Sequence, residues 1–435
     1  MRRNLTLDTA LADAERRYGE ANPKSRESYQ AACRALPGGN TRSGLYYAPF
    51  PLTLAGGAGA RVWDLDGHEY TDFVVELTAG LFGHSNPVIQ AAIKHALDSG
   101  IVLGGHNTVE ARLAEALCAR IPSLDKVRFC NSGSEATLFT LSALRGISGR
   151  QRVMAFEGSY HGGFLNFSYP GASLNAPFPF VMGTYNDVSG AAALIAQNAA
   201  DLAAVIVEPM VGAGGCIPAT VEFLAGLRGA TARHGIALVF DEVMTSRLAP
   251  GGLQEIHGII PDMTTLGKYL GGGLPFGAFG GRDELMARFD PREPGAFPHS
   301  GTFNNNILTL SAGLAGITEV YTADACRAVN AAGDALRIRL NAVFERHGVA
   351  VQATGRGSMM TVHFCGGPIA CPADAARANP LARKLFHLEM IARGQYMVQR
   401  GMINQSLPMT DQDRDGLVEA VDGFLDEYGG LLADG

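Results

Sequence analysis

MTTLGKYLGGG, residues 263–273, decides how the rest of the chain is read. An uncharged five-residue run gives way to glycines, and a single lysine, Lys268, stands at the junction. Short runs without alternating charge suit strands covered on both faces, as in a mostly parallel sheet with crossover helices. Runs of the same kind surround it: KVRFC (126–130), RVMAF (152–156), AAVIVEP (203–209), IALVFDE (236–242) and FGAFGG (276–281). Ligands of open α/β sheets bind beyond the carboxyl ends of the strands. Asp241 of VFDE and Lys268 of TLGK both stand at such ends.

Outward from this region the pattern changes. Residues 7–36 predict two helices broken at Asn22-Pro23, and ARVWDLDGHEYTDF (60–73) predicts a hairpin turning at Asp66-Gly67. Asn86-Pro87 is expected to cap a helix running to about Asp98. A helix near 304–319 and a long one over ADACRAVNAAGDALRIRLNAVFERHG (323–348) precede a tail of smaller pieces. The expected division is an N-terminal segment, 1–80, a large unit, 81–320, and a C-terminal small domain, 321–435. The 435 residues suffice for that arrangement.

Composition excludes several classes of protein. With 47% hydrophobic and 18% charged residues the chain suits a globular enzyme and not a disordered one. A net charge of −7 without a basic run argues against nucleic acid as a partner. Seven scattered cysteines with no C-x-x-C pair suggest neither a disulfide framework nor a zinc site, so no metal is expected. The start, MRRNLTLDTALADAERRYGE, lacks the apolar run of a secretory signal, and no stretch approaches a membrane span. A cytoplasmic location is expected.

Four segments carry chemistry. Asn131-Ser132-Gly133-Ser134-Glu135 follows KVRFC and opens a helix, where free amides and the helix dipole bind phosphate; the same residues would also make an ordinary capping box. Asp241, ending an apolar strand, is costly to bury unless it meets a cation or backbone donors. A pyridinium N–H would be such a cation, and an ion pair at about 4 Å would hold that proton by roughly 4 kcal/mol. Lys268, in a glycine-rich turn, can be desolvated and made nucleophilic. It is not a P-loop lysine, because Tyr269 replaces the required Ser or Thr, and GGG at 271–273 lacks the dinucleotide spacing. His299-Ser300-Gly301-Thr302 forms a polar loop before a helix, a second possible anion site. Together they point to pyridoxal 5′-phosphate (PLP).

NSGSEA (131–136), VEPM (207–210), FDEVMTSRLAPGG (240–252), TLGKYLGGGLPFGAFGG (265–281) and HSGTFNNN (299–306) resemble the class III (ω-) aminotransferases. The likeness is strongest to the branch holding glutamate-1-semialdehyde aminomutase and the β-amino-acid (β-phenylalanine) aminotransferases. It implies PLP fold type I, aspartate-aminotransferase-like: α/β, with a mostly parallel seven-stranded sheet and a smaller α+β domain built from the two chain ends. It also implies roles. Lys268 would form the Schiff base and then move the proton, and Asp241 would pair with the pyridine nitrogen. Ser132, Gly133 and Ser134 would hold the phosphate, Tyr160 would stack on the ring, Val243 would contact its face, and Glu208 would lie close by. Thr302 would reach the phosphate of the neighbouring subunit of a homodimer.

An enzyme that takes both an amino donor and a 2-oxo acid needs a carboxylate clamp, for which arginine is suited by its bidentate geometry. Arg42, beside Tyr46, Tyr47 and Phe50, is the first candidate and Arg400 the second; Arg247 reads as structural. PGG (37–39) and GRGSMM (355–360) are similar to the aminomutase. However, Arg42 stands two positions earlier than that enzyme's N-S-P-V-R arginine, and QRGMINQSLPMT (399–410) replaces its S-Q-F-E-A. The expected reaction is therefore ping-pong transamination from a β-amino acid, possibly aromatic, to 2-oxoglutarate or pyruvate. The aminomutase, an ω-transaminase for other amines, and a PLP-binding regulator or scaffold without turnover are the alternatives.

Overall fold

A computed structural model of the chain describes residues 6–168 and 174–432. Its centre is a seven-stranded sheet: β1 Lys126–Cys130, β2 Arg152–Phe156, β3 Phe180–Gly183, β4 Leu202–Val207, β5 Ala237–Asp241, β6 Met263–Gly267 and β7 Gly277–Gly281. The spatial order is β1-β7-β6-β5-β4-β2-β3, and only β7 runs antiparallel to its neighbours. Every residue of β4, β6 and β7 is buried, which is why these runs show no polar alternation. The fold is PLP fold type I, as expected.

Sheet order decides what meets at the carboxyl edge. Reading across it, one passes from the turn after β1 (Ser132) to the ends of β6 (Lys268), β5 (Asp241) and β4 (Glu208), and then to the loop after β2 (Tyr160). Residues up to 136 positions apart in sequence thus face one crevice.

The N-terminal helices form over Leu7–Ala21 and Pro23–Ala32, and the hairpin pairs Arg61–Asp64 with Glu69–Asp72 around Gly67, whose φ is +96°. The Asn86 side chain caps Pro87–Asp98 through the amides of Val88 and Ile89. Both chain ends share one apolar core, with Ala10 to Val75 packed against Leu336 to Leu432. Two features differ from the sequence reading. β3 is an additional strand: short, at the sheet edge and only alternately buried, it lacks the continuous apolar signature of the others. A helix also spans Glu110–Arg120. The helix expected over 304–319 runs from Ile307 to Ala315 and continues as a wider turn to Val320.

Arg247 ties these parts together from a fully buried position. Its guanidinium donates to Ser358 Oγ at 3.0 Å, to the Thr78 carbonyl at 3.2 Å and to the Gln405 carbonyl. Its own carbonyl accepts from Tyr321, Asn330 and Cys326. Among the described residues no carboxylate forms an ion pair with it, and burial pushes its pKa down. Replacing Arg247 with Ala should cost about 3 kcal/mol or more, through the cavity and the unpaired acceptors. A urea midpoint within experimental error of the parent would show that this hub is not supporting the fold.

Candidate active site

Lys268 follows β6 in left-handed backbone, φ +59°, rare for a residue with a Cβ and costing on the order of 1–3 kcal/mol. Close packing enforces it. The helix Ile307–Ala315 lies so near the turn that a Cβ on Gly313 would run into the Leu270 carbonyl. The turn closes through Gly272 N–H to the Tyr269 carbonyl (2.8 Å) and Leu274 N–H to the Gly271 carbonyl (3.1 Å). The Lys268 amine is pushed down to about 8, first by burial and then by the Arg400 and Arg42 guanidiniums, against the opposing pull of Glu76 and Asp241.

Asp241 ends β5, buried. One carboxylate oxygen accepts from Val243 N–H at 3.1 Å, and the other lies 2.8 Å from His161 Nδ1. The sequence reading passed over His161, which follows Tyr160 in EGSYHGG; a histidine among glycines after a strand was the available signal. Its Nε2 is buried without a hydrogen-bond partner among the described residues. Glu208, also buried, accepts from Tyr160 N–H (3.0 Å) and Gly212 N–H (2.9 Å). Burial pushes its carboxyl up to about 7, with Asp241 adding to the shift and His161 opposing it. Tyr160 itself is 39% exposed, at the mouth of the crevice.

The helix Gly133–Ser148 begins beside this group. Ser132 Oγ accepts from Glu135 N–H at 3.2 Å, so the ordinary cap is present; Ser134 Oγ accepts from Gly163 N–H at 3.0 Å. Each hydroxyl keeps a proton to donate. The first-turn amides have no intrahelical acceptor. A Cβ on Gly133 would lie 2.8 Å from Val243, which also borders Gly267, so Val243 sits between the helix terminus and the lysine turn.

The donor set fits PLP. A helix terminus with two hydroxyls suits its phosphate, and a buried carboxylate with acceptor capacity to spare suits a pyridinium N–H. A nucleophilic amine suits its aldehyde.

Arg42 and Arg400 both act electrostatically on Lys268, and Arg400 also on Tyr160. Arg42 pairs with Glu76 at 2.5 Å, and Arg400 reaches Met402 Sδ at 3.2 Å. Glu76 also went unremarked in the sequence, although one acid inside FVVEL breaks an apolar run. Thr302 is exposed, on a hollow of about 430 Å³ shared with Val102, Leu103 and Phe303.

An α/β sheet with this crevice defines a PLP-binding aminotransferase fold, and residues 46–379 match the aminotransferase class-III family. The chain belongs to that family and is a PLP-dependent aminotransferase. It is 49% identical over 429 residues to the β-phenylalanine transaminase of Variovorax paradoxus, covering 99% of each chain. To a glutamate-1-semialdehyde 2,1-aminomutase of Methanosarcina acetivorans it is 37% identical over 390 residues, 86% of this chain and 91% of the relative. The crystal structure of the Variovorax paradoxus β-phenylalanine aminotransferase superposes with a TM-score of 0.97 at 48% identity, covering 98% of this chain and 99% of that one. A transaminase solved with PLP bound gives 0.86 at 30% identity, covering 95% and 99%. Among the described residues no helix is long and apolar enough to cross a membrane.

The depressed amine has a kinetic signature. Apoprotein stripped of cofactor should take up added PLP about tenfold faster per pH unit below about pH 8, levelling off above it as Lys268 becomes neutral. A rate still climbing towards pH 10, followed by stopped-flow absorbance, would mean an ordinary solvated lysine.

Proposed function

We propose that this enzyme transfers the amino group of a β-amino acid, aromatic at its β-carbon, to a 2-oxo acid such as 2-oxoglutarate or pyruvate. The observation carrying the proposal is that the charges of two guanidiniums, Arg42 and Arg400, act on a buried amine that also feels the buried Asp241 carboxylate. A site that alternates between two carboxylate-bearing substrates needs such cations, and the 49%-identical relative is a β-phenylalanine transaminase.

When bound, PLP supplies a carbonyl that condenses with amines and a ring that takes up the electron pair released at carbon. Lys268 would hold that carbonyl and, once released, would serve as the base. As a neutral amine it takes the proton from the carbon bearing nitrogen and returns it to the cofactor side. Asp241 holds a proton on the ring nitrogen, and His161 orients that carboxylate from behind. The amides of Gly133 and Ser134, with the hydroxyls of Ser132 and Ser134, bind the phosphate. Val243 and Tyr160 would contact the ring, and Glu208 anchors the Tyr160 backbone. Arg42 and Arg400 orient the carboxylates of donor and acceptor.

A homodimer belongs to the same proposal. Thr302 is exposed, on a hollow that it shares with Val102 (83% exposed) and Phe303 (61% exposed), as expected of a residue that completes a neighbour's phosphate site. So does the division into a cofactor-binding unit, 81–320, and a smaller unit from 1–80 and 321–435; the core shared by the chain ends supports it. The location remains proposed as cytoplasmic.

Holoenzyme mixed with 3-amino-3-phenylpropanoate alone should pass to the amine form of the cofactor, and 2-oxoglutarate or pyruvate should restore the original absorbance. Steady-state double-reciprocal lines should be parallel. Intersecting lines would remove the ping-pong scheme, and no spectral response to the β-amino acid but conversion of glutamate-1-semialdehyde would move the protein to the aminomutase. Light scattering should give two chains per particle, and Thr302→Ala should weaken cofactor retention without separating them.

A further inference from the structure

Val75, Glu76, Leu77 and Thr78 all lie in left-handed backbone, with φ of +48°, +46°, +50° and +84°. Four consecutive residues with side chains adopt this region only when their surroundings impose it. Here they do. Asp72 Oδ1 accepts from the amides of Val74 (2.8 Å) and Val75 (3.0 Å), and Asn404 Nδ2 donates to the Val74 carbonyl (3.0 Å). Gly80 N–H closes on the Val75 carbonyl (3.0 Å), and buried Arg247 grips the Thr78 carbonyl. The result is a rigid turn with buried Val75 and Thr78 on one side and Glu76 projecting on the other.

Glu76 projects towards the crevice. Its carboxylate meets the Arg42 guanidinium, and both Glu76 and Arg42 act on the Lys268 amine with opposite signs. The side chains of the pair remain about half exposed, 55% and 47%. So wet an ion pair adds little to stability, so the fold does not depend on the Glu76–Arg42 contact. The same exposure makes the pair easy to part, because a released carboxylate is rehydrated at once.

We propose that Glu76 is a built-in substitute for the substrate carboxylate, holding Arg42 while the site is empty and releasing it, with Glu76 itself turning to water, when a carboxylate substrate arrives. The inference rests on Arg42 being the carboxylate clamp. Glu76 is then a positioning and specificity-determining residue. It keeps Arg42 in a carboxylate-bound geometry between half-reactions, so the guanidinium neither wanders into solvent nor repels the ammonium of an incoming donor. It also competes with every carboxylate substrate.

The test uses holoenzyme and 3-phenylpropanoate, which carries the carboxylate but no reacting amine, titrated by calorimetry. Glu76→Gln, of the same shape, should tighten Kd by about two- to five-fold, the range of an exposed ion pair. It should leave 3-phenylpropanamide binding unchanged, and KM for 3-amino-3-phenylpropanoate should fall by the same factor with kcat within about two-fold of the parent. Glu76→Ser should behave alike, which keeps the test open if Gln disturbs the turn. Unchanged or weaker 3-phenylpropanoate binding in a variant that melts like the parent overturns the proposal. Arg42→Ala separates the premise. If it weakens 3-phenylpropanoate at least about tenfold, as a charge-assisted bidentate contact should, the clamp stands whatever Glu76 does; if it does not, the clamp itself is wrong.

Discussion

The parallel pairing of β5 with β6, which sets Asp241 opposite Thr265, is the constraint on which the site depends. It brings a carboxylate and an amine that are 27 positions apart to one edge of the sheet. Side chains of a strand alternate between faces, so a slip of one residue would exchange Asp241 for Glu242. Those two acids have opposite fates. Glu242 is enclosed by the amides of Leu253 (2.8 Å) and Gln254 (3.0 Å), the Gln254 side chain (3.1 Å) and the Thr245 hydroxyl (3.0 Å), all its acceptor capacity used within the protein. Asp241 holds one amide and one imidazole and faces the crevice. Register, and not residue type, distinguishes the two.

The site built on that register is a small set of opposed charges. Lys268, Arg42 and Arg400 face Asp241, Glu208 and Glu76, and burial moves the protonation of Lys268 and of Glu208. The Lys268 amine comes down to about 8 and the Glu208 carboxyl up to about 7, both chiefly through burial. Desolvation thus brings an amine and an acid that are normally some six pH units apart close together near neutrality.

Much of this was legible in the sequence because the informative signals are local. An uncharged run ending in Asp or Lys places that residue at a strand end, and Ser-Gly-Ser-Glu after a run marks a helix start; Asp241, Lys268 and Ser132–Ser134 follow from those rules. What was not legible depends on long-range geometry. β3 escaped because an edge strand buried on alternate residues carries half the apolar signal. His161 acquires meaning only when sheet order sets the β2 loop beside β5. Glu76 needs knowledge of a left-handed turn that nothing in VVEL announces, and whose supports, Asn404 and Arg247, are distant in the chain.

The core shared by the two chain ends has a consequence for biosynthesis. Ala10, Leu11 and Ala14 pack in the cluster that also contains Leu417, Val421 and Phe424. At about 5–20 residues per second, a ribosome presents the second group on the order of 20–80 seconds after the first. Through that interval the amino-terminal helices have only the part of their native core made by residues up to Val75, and the seven strands are completed before the rest of it emerges. Newly made chains therefore carry a first-made segment whose burial is completed only by the last-made one, and chaperones that bind exposed apolar helices would meet it in the meantime.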